Sequence, residues 1–342
     1  MTTAEMPSTK CYCNELAIQK GLDPAGNAGS FDDAIIVETP LPWKPNMYKE
    51  AGPLPQQIID LLALWLQRYY DGQGYPHRPL MIAPDPDYSQ TGFRRVMYYT
   101  RKDGPFSQFD KVEYRVPDSE YGALIWSLYE DRDALPNFEQ FRTPEADSVR
   151  DILVCTHGTV DAACAKFGYP LYRHMRDTYA SDSLRVWRVS HFGGHIFAPT
   201  LMDMPTSHYW AYVDKPQARQ IVERTGAVED LYKHYRGWAG FKDSFVQAAE
   251  REVWQREGWE WFSYPRSSTI LSTDADEADE ADEATWAEIR MEFKHPHQDT
   301  VQVYDARVEI TDRIETISTT GYDRTYAYPQ YSVTRLEPAP RP

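Results

Sequence analysis

Four side chains near the middle of this 342-residue chain have the types that bind soft or borderline metals: Cys155, Cys164, His191 and His195. Thiolate sulfur and neutral imidazole nitrogen are the donors that zinc and iron–sulfur centres take. The cysteines lie in "VCTHGTVDAACAKFG" (154–168) and the histidines in "VWRVSHFGGHIFAPT" (186–200). An H-x-x-x-H pair on a helix would present both rings on one face. Gly193 and Gly194 stand between these two and argue against a helix; they suit a loop that wraps closely round a bulky object. A histidine pair alone reads as an ordinary loop, but both pairs together, on these elements, read as ligands. Four such donors suit zinc, and they equally suit a [2Fe–2S] cluster with one iron held by sulfur and the other by nitrogen. The eight residues between the cysteines are too many for a zinc knuckle. A Rieske pattern sets a Cys and a His close together in each of two segments, which this chain does not do.

These donors need a frame. "RDILVC" (150–155) reads as a strand that ends on Cys155, and "ACAKFGYPLYRHMRDTYA" (163–180) as a helix that Pro170 kinks or restarts. Cys164 then sits at a helix N-terminus, where the dipole favours the thiolate. "LRVWRVS" (184–190) reads as the next strand, so both pairs follow successive strands of one βαβ-like unit, and loops on one sheet edge can converge. A hairpin over "TLMDMP" and "HYWAYVD" and a helix closed by Gly226 complete the block. His208 falls in that hairpin and reads as a surface residue; His157 reads as a turn filler.

Earlier in the chain, residues 32–40, 54–70, 79–86, 94–101, 110–117 and 119–133 read as β-α-β-β-β-α, the same order as the second block. The tail alternates apolar and polar residues over 285–337 and reads as an antiparallel β-meander, either a small appended domain or a cover on the second block. Residues 231–258, "LYKHYRGWAGFKDSFVQAAEREVWQREG", read as mostly helical, and the acidic run 272–284 as a solvated, flexible segment. Cys11 and Cys13 read as two free thiols near a mobile end; the sharper alternative joins them to Cys155 and Cys164 in an all-cysteine site.

The composition excludes several function classes. Thirty-six basic against 52 acidic residues give a net charge of −16, which repels phosphate backbones and anionic lipid and would attract a basic redox partner. No apolar run approaches the ~20 residues of a membrane span, and the opening segment lacks a basic-then-apolar leader, so a cytoplasmic protein is expected. Four cysteines are too sparse for a disulfide scaffold. A thiol–disulfide enzyme would need C-x-x-C at a helix start, which is absent. No carboxylate pair reads as an acid/base set, so no glycosidase role is assigned.

The same residues carry a resemblance. "C-T-H-G" (155–158), "D-A-A-C-A-K-F-G-Y-P-L" (161–171) and "V-W-R-V-S-H-F-G-G-H-I-F-A-P-T" (186–200) resemble the sucrase/ferredoxin-like family, a group of thioredoxin-like ferredoxins. So do "C-N-E-L-A" and "G-L-D-P-A-G" near the start. The turn "MPTSHYW" lacks the glycine expected after its proline. The resemblance implies a thioredoxin-like, cluster-binding α/β block (146–250); the repeated element order makes 1–145 a degenerate thioredoxin-like copy of it, and the helical, acidic and β region (251–342) follows. It also implies a [2Fe–2S] cluster on Cys155, Cys164, His191 and His195, and a carrier of electrons between redox proteins rather than an enzyme with its own substrate. The competing reading is a structural Cys2His2 zinc module of a binding protein.

Overall fold

The computed structural model describes residues 11–45, 47, 54–276, 284–296 and 300–340. A short helix α1 (Cys13–Gln19) opens the described chain. The first block follows as β1 (Asp33–Glu38), α2 (Gln56–Tyr70), β2 (His77–Ile82), β3 (Phe93–Thr100), β4 (Asp110–Pro117) and α3 (Tyr121–Tyr129). The second is β5 (Arg150–Cys155), α4 (Ala162–Tyr179), β6 (Leu184–Val189), β7 (Leu201–Met204), β8 (His208–Trp210) and α5 (Lys215–Glu223). Then come β9 (Tyr235–Trp238), α6 (Ser244–Glu257) and the tail strands β10 (Arg266–Thr273), β11 (Trp286–Lys294), β12 (Val301–Ile317) and β13 (Thr325–Pro338).

The fold is mixed α/β. One nine-stranded mixed sheet runs β4-β3-β1-β2-β6-β5-β7-β8-β9, and a separate antiparallel sheet runs β10-β11-β12-β13. Within the large sheet the two blocks repeat one connectivity. β1 pairs parallel with β2 and antiparallel with β3, as β5 pairs parallel with β6 and antiparallel with β7. Strand β1 is buried along its whole length because both of its faces are covered. Ile35 and Val37 point to α2 and α3 with Trp65 and Leu124, while Ala34 and Ile36 share a core with Ile152, Val154 and Val186 of the second block.

The two halves of the sheet meet at a narrow seam. β2 and β6 share a single residue pair, Ile82 with Val189. Backbone bonds from Ser190 N–H to the Met81 carbonyl (2.8 Å) and from Ala83 N–H to the Arg188 carbonyl (3.0 Å) flank it. The faces are also tied across the interior by buried charges. Lys111 and Glu113 of β4 meet Asp151 of β5 and Arg185 of β6, with Lys111 Nζ 2.6 Å and Arg185 Nε 2.8 Å from Asp151. Each of these buried ions has partners of opposite sign, which is the condition under which buried charge is tolerated.

Several sequence expectations change at this level. Pro170 does not restart its helix, which runs as one element from Ala162 to Tyr179. Residues 235–238, expected to be helical, form β9 and extend the large sheet beyond β8. His208 is not a surface residue: it is wholly buried, stacked on Phe262 with ring centroids 3.7 Å apart, and it accepts a bond from Arg266 at 3.0 Å. A short strand with both faces covered buries even its polar side chains. Of the acidic run 272–284, residues 277–283 lie outside the described residues, and 272–273 close β10.

The tail forms the expected antiparallel meander. Ala287, Ile289, Met291 and Phe293 alternate inward and join the main core with Trp254, Trp261 and Val308. β12 and β13 are long enough that their far end leaves this core and reaches the second block. There Ile314, Ile317 and Tyr328 pack on a cluster that holds Cys13, Ala17 and Phe197.

Candidate metal centre

Each donor is placed by an identifiable element. Cys155 is the last residue of β5 and is 1 % exposed. Cys164 is the third residue of α4, whose N-terminus Asp161 caps by accepting from Ala163 N–H at 2.8 Å. Helix and strand end approach closely at Gly168, where an added Cβ would stand 2.0 Å from the Cys155 carbonyl oxygen. That contact accounts for a glycine inside a helix. His191 and His195 follow β6 in a loop whose glycines both take positive φ, 95° at Gly193 and 75° at Gly194.

The convergence expected of two loops on one sheet edge is present for three donors. His191 Nδ1 lies 4.0 Å from Cys155 Sγ and 3.9 Å from Cys164 Sγ, and one donor atom of each of the three falls within 4.8 Å of the others. His195 stands beside this group, its ring centroid 5.2 Å from that of His191. Nε2 of His195 donates to the Ser318 carbonyl at 2.6 Å, and its Nδ1 is buried without a partner. Burial holds the His195 pKa below its usual value, so the ring is neutral and keeps a lone pair on that nitrogen.

The two thiols perturb each other in opposite directions. The hydrogen bond from Cys164, helped by His191, holds Cys155 well below the usual thiol range against the effect of burial. The same bond, with burial, pushes Cys164 up. The site thus brings together a sulfur biased toward thiolate, a second sulfur, and two imidazole rings. A buried orphan nitrogen and a sulfur held toward thiolate are the donor chemistry of a metal centre, and the residues fit either a zinc ion or a [2Fe–2S] core.

Around the donors lies a second set of polar side chains. His157 fills its turn as expected, with Nδ1 accepting from the His191 N–H at 3.1 Å, and it meets Trp43 edge-on. Cys13 does not lie on a mobile end: it is fully buried at the start of α1, while Cys11 is exposed. Cys13 groups with Asp161 and His195 rather than with Cys155 and Cys164. Its N–H donates to the Thr320 hydroxyl at 3.2 Å, and that hydroxyl donates to its sulfur at 3.4 Å. Burial pushes the Cys13 thiol up to about 11. The Thr320 N–H donates to Asp161 Oδ2 at 2.8 Å.

Sequence reasoning missed these supporting groups to different degrees. Asp161, three residues before Cys164 and directly before a helix, carries an N-cap signal that could have been read. The Ser318 carbonyl carries none, because every residue has a carbonyl and this one reaches His195 from 123 positions away. Phe192 and Phe197 are each 2 % exposed beside the ligand loop, as a dry shell requires.

No helix among the described residues is long and apolar enough to cross a membrane. A family model described as sucrase/ferredoxin-like matches residues 24–237. No curated protein and no solved structure matches the chain.

Proposed function

Since the chain belongs to the sucrase/ferredoxin-like family, we propose that it is an electron-transfer protein whose Cys155, Cys164, His191 and His195 hold a [2Fe–2S] cluster. One observation carries the reading: His195 commits Nε2 to Ser318 and keeps a buried, unpartnered Nδ1 beside a histidine that faces two cysteine sulfurs. The spread of the donors favours a diiron core over zinc. Tetrahedral sulfur and nitrogen ligands on one zinc ion lie roughly 3.3–3.8 Å apart, from bonds of about 2.0–2.3 Å. His195 falls outside the 4.8 Å group that the other three form.

When bound, such a cluster takes up and releases one electron, at a potential raised by its neutral imidazole ligands. Rieske centres span roughly −150 to +300 mV, against about −400 mV for all-cysteine plant-type clusters. The protein's own contribution is to fix the ligands and control the histidine protons. The Ser318 carbonyl holds the Nε2 proton of His195 and fixes its tautomer. We expect that proton to be lost more readily from the oxidised protein, so the potential should fall as pH rises from 6 to 10. A flat profile would remove this proton coupling.

The repeated β-α-β-β-β-α order, with one pairing scheme in both halves, supports reading each block as a thioredoxin-like unit, degenerate over 1–145 and cluster-binding over 146–250. The acidic net charge favours a basic redox protein as partner, and sparse free cysteines favour a reducing compartment. The deciding experiment is iron and acid-labile sulfide analysis with EPR of the reduced protein, on wild type and on His191→Cys and His195→Cys. About two irons and two sulfides per chain, with a nitrogen-ligated signal altered in both variants, are expected. A colourless protein that holds one zinc would overturn the reading.

A further inference from the structure

We infer that the cleft beside His195 is a binding site for a small organic carboxylate, gripped by Arg78 and Arg236. The cleft has a volume of about 410 Å³ and lies between the ligand loop, residues 27–29 and the tip of the β12–β13 hairpin. Its charge is anomalous for this molecule. The chain carries 16 more acidic than basic residues, yet no carboxylate lines the cleft, while two arginines do.

Neither arginine has a carboxylate partner among the described residues. Arg236 is 3 % exposed and donates only to uncharged oxygens: the carbonyls of Gly193 (3.2 Å) and Asn27 (2.6 Å) and the Thr200 hydroxyl (3.0 Å). Among the described residues no carboxylate lies within ion-pair distance of either guanidinium, and Nε of both is buried without a partner. The Tyr209 hydroxyl, fully buried, also lacks a partner and points to the same place: a Cβ at Gly29 would stand 2.6 Å from Arg78 Nη2 and 3.3 Å from that hydroxyl. Arg78 and an orphan hydroxyl meet at Gly29 while Arg236 packs on Gly194 across the same cleft, and like charges placed this way are costly unless an anion satisfies them.

The shape selects the class. A planar carboxylate matches the guanidinium fork in geometry and charge. The cleft is far larger than a carboxylate alone, and Phe192, Ile196, Phe197 and Tyr328 supply apolar walls for an organic body. This site stands on its own residues and does not require the cluster.

The test is calorimetric titration of the full-length protein, as purified, with benzoate, benzamide and orthophosphate. Benzoate is expected to bind saturably, and benzamide and orthophosphate to bind about tenfold or more weakly. Arg78→Gln, and separately Gly29→Val to fill the cleft, should weaken benzoate by about tenfold or more with unchanged circular dichroism. No saturable benzoate binding in the millimolar range would overturn the inference. So would equal binding of benzamide or orthophosphate, or wild-type affinity in folded Arg78→Gln. Iron content measured on the same samples reports separately on the cluster.

Discussion

At the scale of single residues, the site depends on groups that complete the hydrogen bonds of buried neighbours. Thr320 is the clearest, since its hydroxyl serves both the backbone and the sulfur of Cys13. Thr320→Val keeps the shape and leaves the Cys13 N–H buried and unsatisfied, at an expected cost of about 1–3 kcal/mol. Thr320→Ser should restore most of it; urea unfolding of both variants checks this. The four candidate side chains stood out in the sequence because thiol and imidazole are scarce and were set at marked spacings, and three of them converge. Their supports were legible only where the signal was local. Asp161 announces itself as a helix cap. Cys13 was readable as a thiol but not as a buried one, because its burial comes from residues some 300 positions away. Arg78 and Arg236 gave no sign at all, since an arginine without a counter-ion looks like any other arginine in one dimension.

Among the elements, β5 and α4 fix the thiols. Gly168→Ala would drive a methyl group into the Cys155 carbonyl. Overpacking of this kind should cost about 1–3 kcal/mol and displace Cys155, read as a lower melting temperature together with reduced iron retention. The other end of β5 is anchored electrostatically. Arg150 grips Asp203 of β7 through two bonds of 2.8 Å and caps the Ile221 and Val222 carbonyls at the end of α5. Burial alone would raise the Asp203 pKa, but Arg150 and Arg224 more than reverse this and hold it below the usual range. Its folded value is therefore below its unfolded one. The pair's contribution is complete above about pH 4 and is lost as pH falls through the folded value. Asp203→Asn should cost about 3–5 kcal/mol at pH 7, and that gap should narrow in urea titrations at pH 3. The β-branched run of β1 and the alternation of β11 made those strands readable. Residues 235–238 were not, because four residues between helical neighbours carry no period of their own, and tertiary pairing with β8 decides their state.

For the molecule as a whole, the notable arrangement is that the tail sheet, beyond the stretch the family model matches, supplies the outer wall of the centre. Replacing 317–325 with a tight turn should leave the β10–β11 core intact and speed iron release to a chelator. Release at the wild-type rate would show that the hairpin tip is no barrier. The sequence allowed two roles for the meander, appendage or cover, and the long β12–β13 pair fills both: its near end belongs to the core around Trp261 and its far end to Cys13 and Phe197.

The hairpin also sets an order of events during synthesis. The carbonyl that receives the His195 proton is made 123 residues after that histidine, which a ribosome adding about 5–20 residues per second completes in roughly 6–25 s. During that interval the donor loops exist with one side open. On the proposed reading, iron and sulfide delivered then would meet an exposed nest of ligands, whereas later delivery would have to pass the hairpin tip.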